Sequence, residues 1–431
     1  MFIEHSTQRV HLVRTLFLLA AVLPCFGLLA AAVWRSSQQH VEAVERAAEE
    51  LLGIPLEIAG VDHLRPRALR LRGLELLDPA GAVLLALPSL DVEWSAGETR
   101  LSAARVDCTP AAAAACARLA RDWLAQPERF EHDWVVDVAD LRWILPDDGP
   151  AGHREVAASG LHAECVAAAG GRAMRLRREP ATAEEIRIQT PAGVASAEGH
   201  EETAHGTRSF DVRAVVDLPL PAAVVAAVLQ PSGSMFLNTG LAAGNDTLIR
   251  GRLTAACRAG SWSGDIAGRL ERIDLQAASA GGPSRITGEA DVAVDALRFE
   301  AGRLVSCDLG VMLSGGWVPQ PLVEAAVAAL GCRAASAFRT LGRDPLRTYD
   351  AGSFRVLLDG SGLAVRGMAA DGVVLRSLGL PVLEESATRV PPQRLSWMVS
   401  PAGREMVPAS PATGWLLGVL PAAAFEDGNN F

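Results

Sequence analysis

Leu69 to Leu76 reads LRLRGLEL and Leu90 to Trp94 reads LDVEW. In the first, Leu69 and Leu71 alternate with Arg70 and Arg72; the phase then slips at Gly73, so that Leu74 and Leu76 carry the apolar set, as a β-bulge would produce. In the second, Leu90, Val92 and Trp94 alternate with Asp91 and Glu93. A period of two gives one dry and one wet face, the pattern of antiparallel sheet rather than of parallel sheet buried on both sides. Asp78-Pro79-Ala80-Gly81 supplies the turn between the two segments.

The same period returns far downstream. Phe210, Val212, Ala214, Val216 and Leu218 alternate with charges, as do Trp262, Gly264, Ile266, Gly268 and Leu270. Ile286 to Val294, then Val305, Cys307, Leu309, Val311 and Leu313, then Phe354, Val356 and Leu358 repeat it. Together these predict a long meander of hairpins. Helical spacing interrupts it over Gln38–Leu52, where Val41, Val44, Ala48, Leu51 and Leu52 share a face before Gly53 and Pro55 end the pattern. Further helices are expected over Pro110–Ala125, Pro219–Gln230 and Pro321–Leu341, each opening near a proline suited to a first helical turn.

At the N-terminus, Thr15 to Trp34 (TLFLLAAVLPCFGLLAAAVW) carries no charge. Twenty residues at 1.5 Å each span about 30 Å of hydrocarbon. Leu16, Leu19, Phe26 and Leu29 would face lipid, and Trp34 stands where an interfacial aromatic anchors. Arg9 and Arg14 precede the run, whereas Arg35 and then Glu42, Glu45, Arg46, Glu49 and Glu50 follow it, so the positive-inside bias favours a cytoplasmic N-terminus and an exported body. Ala30-Ala31-Ala32 offers the alternative of a cleaved signal, although the apolar run is longer than a signal requires. Localisation is expected as single-pass in an inner membrane, with the body in the periplasm.

The fold class expected is therefore mainly β (α+β): an N-terminal transmembrane helix followed by an elongated antiparallel β-sheet or groove with a few covering helices. Residues 1–35 form the cytoplasmic tip and anchor, 36–190 a first β-rich region, 191–209 a loop, 210–385 a second β-rich region with a helix near 321–341, and 386–431 a Pro-rich irregular tail.

Composition sets exclusions. The 431 residues carry a formal charge of −10, 50 acidic against 40 basic, which argues against nucleic acid as a partner. Every basic residue is arginine, so a phosphate-loop lysine, a Schiff-base lysine and the kinase lysine are all ruled out. Six cysteines lie outside the apolar run, none with metal-knuckle spacing. Cys257 and Cys307 fall on dry phases as small buried hydrophobes, and Cys108 and Cys116, flanking an Ala-rich stretch, are the pair best placed for a disulfide.

The run GIPLEIAGVDHLRPRALRLRGLELLDPAGAVLLALPSLDVEW from Gly53 to Trp94, preceded by an anchor and a short helix, resembles the start of AsmA-like envelope proteins, relatives of TamB-type and chorein-type β-groove proteins. The family pattern is a Pro-preceded strand, here Pro66 then Leu69 to Leu77, a Gly-containing turn, and a strand ending in acidic-hydrophobic alternation. The resemblance is best over residues 10–108 and weaker over 250–375; the chain is short for the family and its Pro-rich end has no counterpart. It implies a non-enzymatic role in envelope or outer-membrane biogenesis, with phospholipid acyl chains held along an apolar β-groove. Lining candidates are then Leu69, Leu71, Leu90, Val92, Trp94, Val212, Val216, Ile266, Leu309 and Val311. Arg65, Arg67, Arg70 and Arg72 read either as a solvated strand face or as contacts to lipid phosphate. The alternative is an anchored scaffold that recruits envelope proteins through sheet edges.

No motif points to catalysis, a cofactor or a metal. His200 and His205 are five apart, where a zincin needs four. Gly260-Ser261-Trp262-Ser263-Gly264 has Trp where a nucleophile elbow needs Ser, and Gly360-Ser361-Gly362 reads as a hairpin turn. Asp147-Asp148-Gly149-Pro150 reads as a solvated turn, and His153 and His162 stand alone in the sequence.

Overall fold

The computed structural model describes residues 7–125, 132–146, 153–157, 160–168, 171–179, 184–189, 209–229, 244, 246–258, 261–280, 284–336, 346–398 and 418–421. Its N-terminal helical run comprises α1 (Thr7–Phe17) and α2 (Leu23–Arg35), joined by a π-helical turn over Leu18–Val22. Pro24 cannot donate to the carbonyl four residues back, and the wider turn just upstream absorbs that misfit. Arg14–Arg35 has a mean hydropathy of 2.6 and is not buried against the rest of the molecule, so it is long and apolar enough to cross a membrane. Leu16, Leu19, Phe26, Leu29 and Trp34 are all exposed along it. After a short break, α3 (Gln38–Leu52) ends at Gly53 in the left-handed conformation (φ 71°) that a C-terminal cap requires.

The body is 58% strand and forms one open sheet. Its first strands are β1 (Leu56–Arg65), β2 (Ala68–Leu77), β3 (Val83–Trp94) and β4 (Glu98–Cys108). Helix α4 (Pro110–Ala125) then crosses back, so that β5 (Asp133–Pro146) lies parallel to β4, the one parallel step in the paired register. Next come β6 (His153–Ala157), β7 (Leu161–Ala168), β8 (Gly171–Arg178), β9 (Glu185–Gln189) and β10 (Phe210–Pro221). Helix α5 (Ala222–Leu229) follows, then β11 (Leu248–Arg258), β12 (Ser261–Asp274), the single-turn α6 (Leu275–Ser279), β13 (Glu289–Glu300) and β14 (Arg303–Pro319). The last elements are α7 (Gln320–Leu330), β15 (Cys332–Ala334), β16 (Leu346–Asp359), β17 (Gly362–Gly367), β18 (Val373–Ser377) and β19 (Leu380–Ser386).

Strand pairing follows chain order almost throughout. β9 pairs with β10 antiparallel, so the sheet runs without interruption from the first β-rich region into the second. The loop expected at 191–209 falls almost wholly outside the described residues, as do His200, His205, Asp147 and Asp148.

Cross-strand partners share a face, so the register can be followed side chain by side chain. Starting at Leu69, successive partners are Val92, Leu101, Val136, Ala163, Leu176, Ile186, Ala214, Leu253, Ile266, Leu297, Cys307, Leu358 and Leu363. One apolar row thus crosses the sheet from β2 to β17. The row beside it is polar: Arg70, Asp91, Ser102, Asp137, His162 and Arg177 are successive partners on the opposite face.

The bulge expected at Gly73 is not one. Leu74 pairs with Ile58 and Leu87, and Leu71 with Val61 and Leu90, so the register is the same on both sides. All three strands change phase together, and Gly73 does so with φ +56°, where an added Cβ would lie 2.9 Å from Ala59 Cβ. Two helices also begin or end differently from the spacing. β10 continues through Pro221, so α5 starts at Ala222 rather than at Pro219, and α7 stops at Leu330 because Gly331 adopts φ 68°. Cys108 and Cys116 are both free thiols, and burial pushes the Cys108 pKa up to about 12.

Three apolar cores pack against the sheet; the smallest gathers Trp123 and Leu124 of α4, Trp134 and Cys165, with Leu101, Met174, Ile188 and Phe210 packed against them, and the other two close its ends. The first joins Val41 of α3, Ala112 and Ala113 of α4 and Val224 of α5 to strands β1–β5. The second packs Val323, Ala329 and Leu330 of α7 against Val365, Val374 and Val382, and takes in Leu420. In the predicted irregular tail, Pro392–Met398 forms a 3-10 turn whose Leu395 and Trp397 pack on this core. The free edge of β1 is capped. Glu49 accepts from the Leu56 amide at 3.2 Å and Glu45 from the Ile58 amide at 2.7 Å, so a helix carboxylate stands where another strand would dock.

Candidate functional site

Along the dry face Val136 packs on the first core, Leu101 on the Trp123 cluster and Leu297 on the last core, whereas Leu176, Ile186, Leu253 and Ile266 belong to none of them. Leu101, Val136, Leu176, Ile186, Leu253 and Leu297 are half-buried, and Ile266 at the middle is 36% exposed. A row that began as alternate side chains in separate hairpins is therefore an apolar trough, sealed at β16 and β17, where Leu358 and Leu363 are buried. Among the expected lining residues, Leu69, Leu90, Val92, Val212, Val216, Leu309 and Val311 are half-buried on this face, while Trp94 is 42% exposed. Leu69, Leu90 and Val92 also pack against the first core and Leu309 against the second, and Leu71 lies deepest. It is buried in the first core and packs rather than lines.

A buried ion pair interrupts the apolar chemistry. Arg178 and Glu184 form a salt bridge with side chains 3% and 0% exposed, on the dry side beside Leu161. Arg178 also donates to the Leu218 carbonyl at 2.6 Å, and Glu184 accepts from the amides of Asp217 (3.2 Å) and Leu218 (2.9 Å). With its bonds satisfied, the pair locks β10 to the β8–β9 turn where the β10–β11 register shifts.

The end of the apolar helix α2 meets one rim of the trough. His40, near the start of α3, lies 2.9 Å from His63 through their Nε2 atoms, and the Trp34 ring meets His40 tilted by 52° with centroids 4.5 Å apart. That contact brings the end of β1, the Arg65–Arg67 turn and, through the Trp94 amide bonded to the Arg67 carbonyl, the exposed Trp94 to the α2 side. Burial, His63 and Arg35 hold the His40 pKa below its ordinary value.

The four expected headgroup arginines are mostly engaged with protein. Arg70 makes a bidentate pair with Asp91 (2.6 and 2.8 Å), which holds the Asp91 carboxyl below its usual range. Arg65 pairs with Glu93 at 2.5 Å and Arg72 with Asp62 at 3.0 Å. Arg67 occupies the turn with φ 66° and has no ion pair among the described residues. The reason is register: each strand's charges face the complementary charges of its neighbour.

On the wetted face, a shallow cavity of about 530 Å³ is lined by Asp91, Ser102, Asp137, Gly160, His162 and Glu179, among others. His162 is not solitary. Its Nδ1 is 2.6 Å from Asp137 and its Nε2 3.0 Å from Glu164, and these hydrogen bonds, Glu164 first, raise its pKa. Glu164, two residues along the same strand, falls on the same face by alternation, whereas only the register could reveal Asp137 on β5. Both ring nitrogens are occupied, which leaves the imidazole a structural cross-link rather than a base. No group of three metal-ligating side chains occurs among the described residues.

In comparisons with known proteins, no family model, no curated sequence and no solved structure matches this chain.

Proposed function

We propose that the protein is a membrane-anchored, non-enzymatic carrier or holder of phospholipid in the cell envelope, tethered in the inner membrane with its body in the periplasm. The observation that carries this reading is the apolar row from Leu69 to Leu363, in which Leu176, Ile186, Leu253 and Ile266 belong to none of the three packed cores. An apolar strip of that extent exposed to water exceeds what a soluble surface normally tolerates, and an acyl chain offers cover at about 0.8 kcal/mol per buried methylene. The AsmA-like resemblance of Gly53–Trp94 supports the same reading, as does the meeting of the anchor with the rim that bears Trp94. The scaffold alternative is less favoured, because Glu45 and Glu49 already cap the β1 edge it would use.

Photo-crosslinking tests this in intact cells. A photoreactive residue at Ile266, on the dry face, is expected to yield a phospholipid adduct by mass, and one at neighbouring Thr254, on the wet face, none. Equal labelling at both positions, or none at Ile266, Leu253 and Leu297 together, would sink the proposal.

A further inference from the structure

The wetted face pairs most of its arginines with carboxylates, as with Arg258 and Asp211, Arg298 and Glu300, or Arg389 and Asp359. Arginines also face each other at Arg250 and Arg269 and at Arg355 and Arg366, but there Arg250, Arg355 and Arg366 each pair with a carboxylate; one place differs. Arg175 of β8 is the register partner of Arg187 of β9, which is in turn the partner of Arg213 of β10. Three guanidinium-bearing side chains stand directly opposite one another on strands about 4.8 Å apart, an arrangement that repels itself. None has an ion pair or hydrogen bond among the described residues, and the Nε atoms of Arg175 and Arg187 are buried without an acceptor. The nearest carboxylate across the register, Glu164 opposite Arg175, is already held by His162 at 3.0 Å. In a chain of net charge −10, carboxylates are in surplus, yet Glu164, whose charge acts on Arg175, is shared with His162, and the register sets no carboxylate opposite Arg187 or Arg213.

We propose that Arg175, Arg187 and Arg213 form a binding site for a phosphate group on the wetted face of the sheet. Tetrahedral phosphate offers several acceptor oxygens to converging forks and satisfies donors that the fold leaves open. The site lies on the face opposite the apolar trough and stands or falls separately from lipid carriage. Its phosphate has two possible sources, free phosphate in solution or the headgroup of a phospholipid at a membrane surface.

The test is thermal unfolding of the full chain in a maltoside detergent, with inorganic phosphate added against chloride at equal ionic strength. A parallel arm uses micelles doped with phosphatidylglycerol against micelles doped with diacylglycerol. Phosphate or phosphatidylglycerol is expected to raise the melting temperature, and Arg187→Gln and Arg213→Gln to weaken that binding about tenfold or more. Without ligand both variants should be at least as stable as the parent, since each relieves like-charge repulsion, so a lost shift cannot be ascribed to misfolding. Arg70→Gln, whose arginine is held by Asp91, should retain the full shift. A response to inorganic phosphate assigns the free anion; a response to phosphatidylglycerol alone assigns the headgroup. Shifts that are absent in the parent, or equal in the parent and both variants, overturn the site.

Discussion

Replacing Glu184 by Gln is the most demanding test of how the sheet is held together. The substitution keeps the shape and leaves an oxygen for the Asp217 and Leu218 amides, so what it removes is the charge opposite Arg178. Both side chains are buried, at 3% and 0% exposure, and a guanidinium stranded there has no water to solvate it. Breaking a buried pair from one side costs about 3–5 kcal/mol, against a typical total stability of about 5–15 kcal/mol. Urea unfolding of the full chain in maltoside should therefore show a sharply lower midpoint. Hydrogen exchange should show the β9 and β10 amides opening first. The double variant Arg178→Gln with Glu184→Gln, which removes both charges and keeps an amide for the Leu218 carbonyl and an oxygen for the two backbone amides, should recover part of the loss. If Glu184→Gln alone costs less than about 1 kcal/mol, the pair is not the lock described above and the reasoning fails.

Other outcomes follow from single features. Gly73→Ala should destabilise by about 1–2 kcal/mol in chemical unfolding, because φ +56° disfavours a Cβ and Ala59 already fills the space. Glu45→Ala with Glu49→Ala frees two edge amides and should produce concentration-dependent association by light scattering, whereas the parent stays constant. The two histidine sites should respond to pH with opposite signs. His162, whose pKa is raised by Glu164 and Asp137, contributes stability that is full below its unfolded value of 6.5 and lost as pH rises through the folded value; His162→Gln should flatten that part of the profile. His40, whose pKa is lowered, costs stability as pH falls from 6.5 toward its folded value, and His40→Gln should remove that loss.

The dry face was legible from alternation alone, because a period of two needs no knowledge of partners. Leu253, Ile266 and Leu297 fall on one face whichever strands they belong to, and the pairing then joins them. Charge was not legible in the same way. Arg65, Arg70 and Arg72 look like a free basic cluster in a linear reading, yet their carboxylates lie on other strands, at Glu93, Asp91 and Asp62, and meet them only through hairpin register. Asp137, the cross-strand partner of His162, escaped notice for the same reason. The slip at Gly73 was visible as a change of phase, but whether neighbours insert a residue or turn together depends on three strands at once. Leu71 was assigned to the correct face and the wrong depth, since alternation says which way a side chain points and not what covers it.

Because nearly every strand bonds to its immediate successor along the chain, the molecule needs few distant encounters to assemble. Loop closure between adjacent hairpins is cheap, so a polypeptide emerging N-terminus first can zip one strand at a time onto a growing template. β7 reaches past β6 to β5 and β16 past β15 to β14, and the longest wait comes last. β15 must wait for β19 to be made before it finds a partner, which leaves the far end as the step that completes maturation.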